Sequence, residues 1–216
     1  MKCISSKPSE ERIKEAARKV FLKKGFDGTT SRDIAEEADM NIALTNYYFR
    51  SKEKLFLEIF KDLLTLYFQN TLDIFNKDID FKSKISEAID HTYDMVSREP
   101  DLCNFIMNEV HRAPERLIPD LNFLRQINHT KLGQQLDEEI KKGNIRPIGI
   151  ENLMPMLCGY IQFIFMGKNM HMKIYEINEE QFEEYALDHK ERIKEMILCY
   201  LYIWNFFALS LNKHLK

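Results

Sequence analysis

Glycine and proline are scarce in this chain, 7 and 6 among 216 residues. That scarcity excludes Gly-rich and Pro-rich disordered tracts and favours helices joined by short connections. No low-complexity tract or internal repeat stands out. The four cysteines, Cys3, Cys103, Cys158 and Cys199, lie far apart with no C-x-x-C spacing. A zinc site or a disulfide framework is therefore not expected, and reduced thiols in a cytoplasmic protein are. No run alternates with period two, so no strands are predicted.

Long hydrophobic runs are also missing. The longest, Met196 to Leu211, is interrupted by Asn205 and Ser210 and is shorter than the roughly 20 residues of a membrane span. It reads as a buried helix, with a tail anchor as the alternative; no membrane partner is expected. The start, MKCISSKPSEER, has no apolar core of a secretory signal.

Catalytic patterns are absent as well. None of the six histidines, His91, His111, His129, His171, His189 and His214, has Glu three residues before it, so a di-iron bundle is not indicated. There is no Gly-rich phosphate loop, G-x-S-x-G or H-E-x-x-H. No catalytic residue, metal ligand or cofactor is expected, and the chain is not read as an enzyme.

No charge sign dominates: 31 Lys+Arg stand against 34 Asp+Glu, a net charge of −3. The distribution is uneven. Residues 1–60 hold 12 basic and 10 acidic residues, and the remainder 19 and 24. A slightly basic head on an acidic body permits nucleic-acid binding without requiring it.

What is present is concentrated between Thr29 and Phe56, in TTSRDIAEEADMNIALTNYYFRSKEKLF. Thr30-Ser31-Arg32-Asp33 has the Thr-x-x-Asp form of a capping box. Ile34, Ala35 and Ala38 follow at helical spacing, and Asp39-Met40-Asn41 breaks the pattern. Asn41 is a good N-cap for a second short helix, Ile42 to about Tyr48. Ser51 opens a third. Two short helices around a tight turn are the commonest device for laying a helix in the DNA major groove.

Around this segment the periodicity predicts an all-helical chain. Helix 1 begins after Ser9, with Glu10 and Glu11 at the positive end of its dipole, and ends at Gly25 in a left-handed cap. The helix after Ser51 repeats Leu55, Phe56, Ile59, Phe60, Leu63, Leu64 and Tyr67 for several turns. Amphipathic helices follow near Phe81–Ser97, Asp101–His111 and Leu121–Lys142. Two further helices, near Glu151–Gly167 and Leu187–Leu211, are apolar nearly all round and need more than one burying surface. Paired with the same helices of a second copy, they would form a four-helix homodimer interface. The candidates are Leu157, Ile161, Ile164, Met196, Tyr200, Trp204 and Phe207; an intramolecular core is the alternative.

The run from Ser9 to Phe60 resembles the DNA-binding domain of TetR-family transcriptional regulators. The likeness rests on Gly25-Phe26, Thr29-Thr30-Ser31-Arg32-Asp33-Ile34-Ala35, Ala38, Tyr47-Tyr48-Phe49 and Ser51-Lys52-Glu53-Lys54-Leu55-Phe56. It implies a helix–turn–helix DNA-binding domain over 1–56 and a helical effector-binding and dimerisation domain over 57–216. It also implies a homodimeric repressor that binds a palindromic double-stranded operator and is released by a small hydrophobic ligand. A helical protein-interaction adaptor without effector control is the alternative. Two departures stand out: Asp39 occupies a turn position where the family usually has Gly, and Thr45-Asn46 replace an apolar residue and Tyr.

Thr30 and Ser31 lie at a helix N-terminus that can hold a phosphate, and Thr30 also caps. Arg32 is read as a backbone or base contact, or as a solvated charge. Asn41, Ile42, Ala43, Thr45, Asn46, Tyr47 and Tyr48 are candidates for the groove. Asn suits an adenine edge, Ala and Thr methyls suit thymine, and Tyr hydroxyls suit phosphates. Leu44 and Phe49 are expected to pack inward, with Thr45 as a further possibility because its family counterpart is usually buried. Lys52 resembles the family's phosphate-binding lysine. In the body, Tyr93, Met95, Phe105, Met107, His111, Phe123, Gln126 and Tyr160 are candidates for an effector cavity, with ordinary core as the alternative.

Overall fold

Helices supply every regular element of a computed structural model that describes residues 9–49, 51–117 and 127–202, apart from the side chains of residues 67 and 116. The order is α1 (Ser9–Lys24), α2 (Ser31–Glu37), α3 (Ile42–Tyr48), α4 (Lys52–Asn76), α5 (Phe81–Arg98) and α6 (Pro100–Arg112). Then come α7 (Pro114–Leu117), α8 (Lys131–Lys141), α9 (Ile150–Met166), α10 (Lys168–Ile174) and α11 (Glu179–Tyr202). No strand occurs among the described residues.

The chain divides into two compact units. One joins Met1–Tyr67 to Asp101–Asp120, the other Phe68–Pro100 to Leu121–Lys216. The division therefore falls inside α4, after Tyr67, rather than at residue 56. It also assigns α6 and α7 to the first unit. Sequence order misplaces α6 because its partners are made in space, not along the chain.

In the first unit, α1 carries Glu10 and Glu11 in its first turn and Lys23 and Lys24 in its last, matching charge to the helix dipole at both ends. Ser9 lies within the helix rather than before it. Gly25 adopts φ +68°, and its N–H donates to the Phe21 carbonyl at 2.8 Å. This left-handed cap turns Phe26 back onto Phe21, with ring centroids 6.4 Å apart. Ile13, Ala17 and Phe21 of α1 are fully buried, as is Phe56 of α4, whose ring meets Phe21 edge-on at 5.2 Å. Each buried aromatic or aliphatic side chain of this kind contributes about 1.5–3 kcal/mol. Phe105 of α6 joins the cluster, 6.1 Å from Phe56 and 6.0 Å from Phe60.

In the second unit, α5, α8, α9 and α11 share the larger of two hydrophobic clusters. Ile85 and Ile89 of α5, Leu132 of α8, Leu153 and Leu157 of α9, and Ile197 and Leu201 of α11 are buried in it. Among the described residues one cation, Lys84, is buried too, with no hydrogen-bond partner there for its Nζ, and desolvation pulls its pKa down.

Helices α8 and α11 depart from their predicted bounds, and α7 and α10 had no predicted counterpart. Helix α8 starts only at Lys131, because the Thr130 hydroxyl accepts the Gly133 N–H at 3.4 Å and caps it. The rest of the predicted Leu121–Lys142 helix lies largely outside the described residues. Helix α11 starts at Glu179, two turns earlier than expected. Asn178 and Gln181 there exchange side chain-to-backbone bonds of 2.9 and 3.0 Å, a capping box. Helix α10 follows α9 across Gly167 and was not expected. Its seven residues bury only His171, too little to show a periodic stripe.

Candidate nucleic-acid interface

Helix α2 is fixed at its start by Thr30 and Asp33. The Thr30 hydroxyl accepts the Asp33 N–H at 3.1 Å and donates to Asp33 Oδ2 at 2.7 Å. The same oxygen accepts the Thr30 N–H at 2.7 Å. Lys24 Nζ lies 2.7 Å from Asp33 Oδ1. The Lys24 ammonium foremost, then the Thr30 hydroxyl and N–H, hold the Asp33 carboxyl far below the usual aspartate range. Ser31 is half-buried at the first helical position and Arg32 is exposed.

The turn after α2 runs through Ala38 and Asp39. Asp39 takes φ +52°, the left-handed region where glycine is usual and Asp is tolerated. Arg12 Nη2 donates to the Ala38 carbonyl at 2.9 Å, which ties the turn to α1. Asn41 caps α3: its Oδ1 accepts the Ala43 N–H at 2.8 Å. That side chain is therefore committed to the helix start.

Helix α3 has no charged residue, so burial decides its inner face. Thr45 is 3% exposed, and its hydroxyl donates to the Asn41 carbonyl at 3.4 Å. Leu44 is 37% exposed. The inward residue is thus Thr45, not Leu44. A buried Thr methyl with a locally satisfied hydroxyl packs well there. Ile42, Ala43, Asn46, Tyr47 and Tyr48 remain exposed, Tyr47 at 78%. The Tyr47 and Tyr48 rings meet edge-on at 5.4 Å.

Lys52 occupies the start of α4. Its ammonium donates to the Phe26 and Thr29 carbonyls, each at 2.8 Å, and lies 4.2 Å from the Phe26 ring centre. The lysine expected to reach outward for a phosphate also braces the α1–α2 connection from within. The Thr29 hydroxyl donates to the Gly25 carbonyl at 2.7 Å across the same connection.

Sequence reasoning passed over three supports of this head: Arg12, Glu109 and Arg112. Glu109 is 3% exposed, and its Oε1 accepts the Phe26 N–H at 3.0 Å. A long-range bond of this kind leaves no local pattern; only the acidic residue within an apolar stripe hints at it.

The residues suggested for an effector cavity are divided between the two units. Phe105 is core of the first unit, while Met107 and His111 of the same helix are exposed. In the second unit, Tyr93 is half-buried against Phe165, ring centroids 5.7 Å apart, and Met95 is half-buried. Phe123 and Gln126 lie outside the described residues. Tyr160 lines a surface groove of about 630 Å³ with Met156, Phe163, His171, Tyr185 and His189.

The suggested dimer residues are likewise redistributed. Leu157, Ile161 and Ile164 are buried within their own chain, since helical spacing turns them onto α5 and α11. Tyr160, Phe163 and Met166 form the exposed apolar side of α9, with Met196 and Tyr200 exposed on α11. Trp204 and Phe207 lie outside the described residues. Among the described residues no group of three or more His, Cys, Asp or Glu is placed to hold a metal, and no helix is long and apolar enough to cross a membrane.

Two capped short helices, a left-handed turn and an uncharged second helix with an exposed Asn-Tyr-Tyr side define a helix–turn–helix DNA-binding module. Residues 13–59 match the model of bacterial regulatory proteins of the tetR family. The chain thus carries the DNA-binding domain of that family. It is 30% identical over 105 residues to the probable HTH-type transcriptional regulator YttP of Bacillus subtilis, covering 47% of this chain and 50% of that protein. The chain spans about half the length of the first curated relatives it matches.

The all-helical fold is shared more widely. A linker-substituted form of HlyIIR superposes with a TM-score of 0.62 at 22% identity, over 90% of this chain and 97% of that one. The transcriptional regulator FadR from Bacillus subtilis, solved with stearoyl-CoA, gives 0.62 at 16% identity, over 88% and 98%. Likeness at this level of identity speaks to the fold.

Proposed function

We propose that this chain is a homodimeric transcriptional repressor that reads a palindromic operator with α3 and releases it on binding a small hydrophobic ligand. One observation carries the DNA reading. Helix α3 is anchored inward by Thr45 and capped by Asn41, and it leaves Ile42, Ala43, Asn46, Tyr47 and Tyr48 facing solvent. A helix so short has no reason to expose that much aromatic and apolar surface unless something covers it. Asn46 is the base-reading candidate. The two tyrosines, Thr30, Ser31, Arg32 and the remaining Lys52 donor are the phosphate-contacting ones.

The dimer reading rests on the exposed side of α9 and α11. Tyr160, Phe163 and Met166 with Met196 and Tyr200 are too many large apolar side chains for a free surface. A second copy related by a two-fold axis would cover them symmetrically. The groove beside Tyr160 and Phe163 belongs to this face. The ligand reading is supported by the fold shared with FadR, a protein solved with stearoyl-CoA. Differential affinity of that ligand for two states of the dimer would set the switch. The protein so read is a binding protein of the cytoplasm, not an enzyme.

Sequencing genomic fragments retained by the full chain at a stated salt concentration tests the proposal. The expected result is a palindrome with half-sites about 34–36 Å, or a multiple, apart. Retention without any shared sequence would defeat the operator reading. Undiminished retention with stearoyl-CoA and shorter acyl-CoAs would defeat release by this ligand class.

A further inference from the structure

Glu109 and Arg112 stand one helical turn apart near the end of α6, yet their bonds lead elsewhere. Glu109 Oε1 accepts the Phe26 N–H at 3.0 Å, while Oε2 pairs with Arg112 Nη2. Arg112 Nη1 reaches Asp27 Oδ2 at 2.5 Å. Both residues thereby fasten α6 to the connection between α1 and α2, which lies 83 positions earlier in the chain for the Phe26 bond. A Cβ at Gly25 would come to 3.0 Å from Glu109 Oε1. Gly25 therefore serves two needs, the left-handed backbone and room for the incoming carboxylate.

The Phe26 residue is held from opposite ends. Glu109 accepts a hydrogen bond from its N–H, and Lys52 donates one to its carbonyl. Four residues later comes the Thr30 cap that starts α2. The direction of α2, and with it α3, depends on how this short connection is held.

We propose that Glu109, locked by Arg112, is a positioning residue for DNA reading: α6 sets the pose of the α2–α3 head through the Phe26 amide. The inference rests on the DNA-binding reading above. The physical reason is the cost of a buried carboxylate. At 3% exposure Glu109 must be paired and hydrogen-bonded. Arg112 belongs to α6 itself, but the Phe26 N–H meets Oε1 only when the Gly25–Asp27 segment is in this pose. A misplaced connection leaves the buried Oε1 without its donor.

The test uses the full chain and the DNA fragment that wild type retains. Glu109→Ala is expected to weaken binding about tenfold, the equivalent of one charge-assisted hydrogen bond. The salt slope should stay unchanged, because no phosphate contact is removed. Hydrogen exchange of the Phe26 amide should accelerate. Glu109→Gln keeps an acceptor for that amide and should recover part of the affinity, and Arg112→Ala should fall between. A stoichiometric titration corrects each affinity for the active fraction, so a mere loss of folded protein is not mistaken for the effect.

A folded Glu109→Ala protein with wild-type affinity would overturn the proposal. If that variant does not fold, Arg112→Ala and Glu109→Gln decide, and wild-type affinity and wild-type Phe26 exchange in both would overturn it equally. If wild type itself retains no DNA, the regulator reading fails on its own. Exchange at Phe26 then still reports the clamp, and an unchanged rate in Glu109→Gln and Arg112→Ala overturns it.

Discussion

The Lys52 ammonium sits 2.8 Å from the Phe26 carbonyl oxygen and 4.2 Å from the centre of the Phe26 ring. One side chain thus engages both the backbone and the aromatic face of a residue 26 positions earlier, and reaches the Thr29 carbonyl as well. Two of its three donors are used in this way. Lys52→Met keeps the apolar stem and removes the bonds. It should lower stability by about 1–3 kcal/mol in urea unfolding. DNA binding should weaken similarly for all sequences, with the salt slope reduced by about one. Wild-type stability in this variant would refute the bracing role, and an unchanged slope the phosphate contact.

Asp39 is strained where glycine would not be. At φ +52° a Cβ presses on the following carbonyl, and the penalty grows for branched side chains. Asp39→Gly should leave thermal stability unchanged or slightly raised. Asp39→Val should lose about 1–2 kcal/mol. Equal melting temperatures for the two variants would show that the turn has relaxed to another conformation.

Asp33 makes the start of α2 sensitive to acid. Its folded carboxyl is held far below the ordinary value by Lys24 and Thr30. The sign follows from linkage: a depressed folded pKa stabilises above the unfolded value of about 3.9 and loses that contribution as pH falls through the folded value. Above about pH 4 the contribution is complete, and below it α2 should loosen. NMR titration of the Asp33 carboxyl should show a midpoint below that of an unstructured aspartate. In Asp33→Asn the acid-dependent part should vanish, and a titration at the ordinary value would remove Lys24 and Thr30 as its cause.

Phe163 and Leu157 lie on the same helix and should behave oppositely. Phe163 is 64% exposed and Leu157 fully buried. Phe163→Glu is expected to yield folded monomers in sedimentation at micromolar concentration with little change in monomer helicity. Leu157→Ala should cost about 2–5 kcal/mol through a core cavity and leave the association face intact. A dimeric Phe163→Glu protein would place the interface elsewhere.

Much of the head is legible in the sequence. Capping is a local matter of three or four residues, so Thr30–Asp33, Asn41 and Ser51 announced the starts of α2, α3 and α4. Gly25 announced the end of α1 for the same reason. The inward residue of α3 was less readable. With seven residues and no charge, its pattern does not separate Leu44 from Thr45, and packing chose the smaller side chain. In the body, an all-apolar helix hid which side faced inward. Leu157, Ile161 and Ile164 went to the core, and Tyr160, Phe163 and Met166 to the surface.

The sequence by itself determined the all-helical class and, in the head, the helices, their caps and the helix–turn–helix, because each is set by hydrogen bonds and periodicities spanning a few residues. The tertiary structure decided which residues share a unit. It brought α6 to the head, gave Phe26 its two partners from Glu109 and Lys52, and turned Thr45 inward. These are contacts between residues far apart in the chain, fixed by the requirement that buried charge and buried backbone find partners in three dimensions.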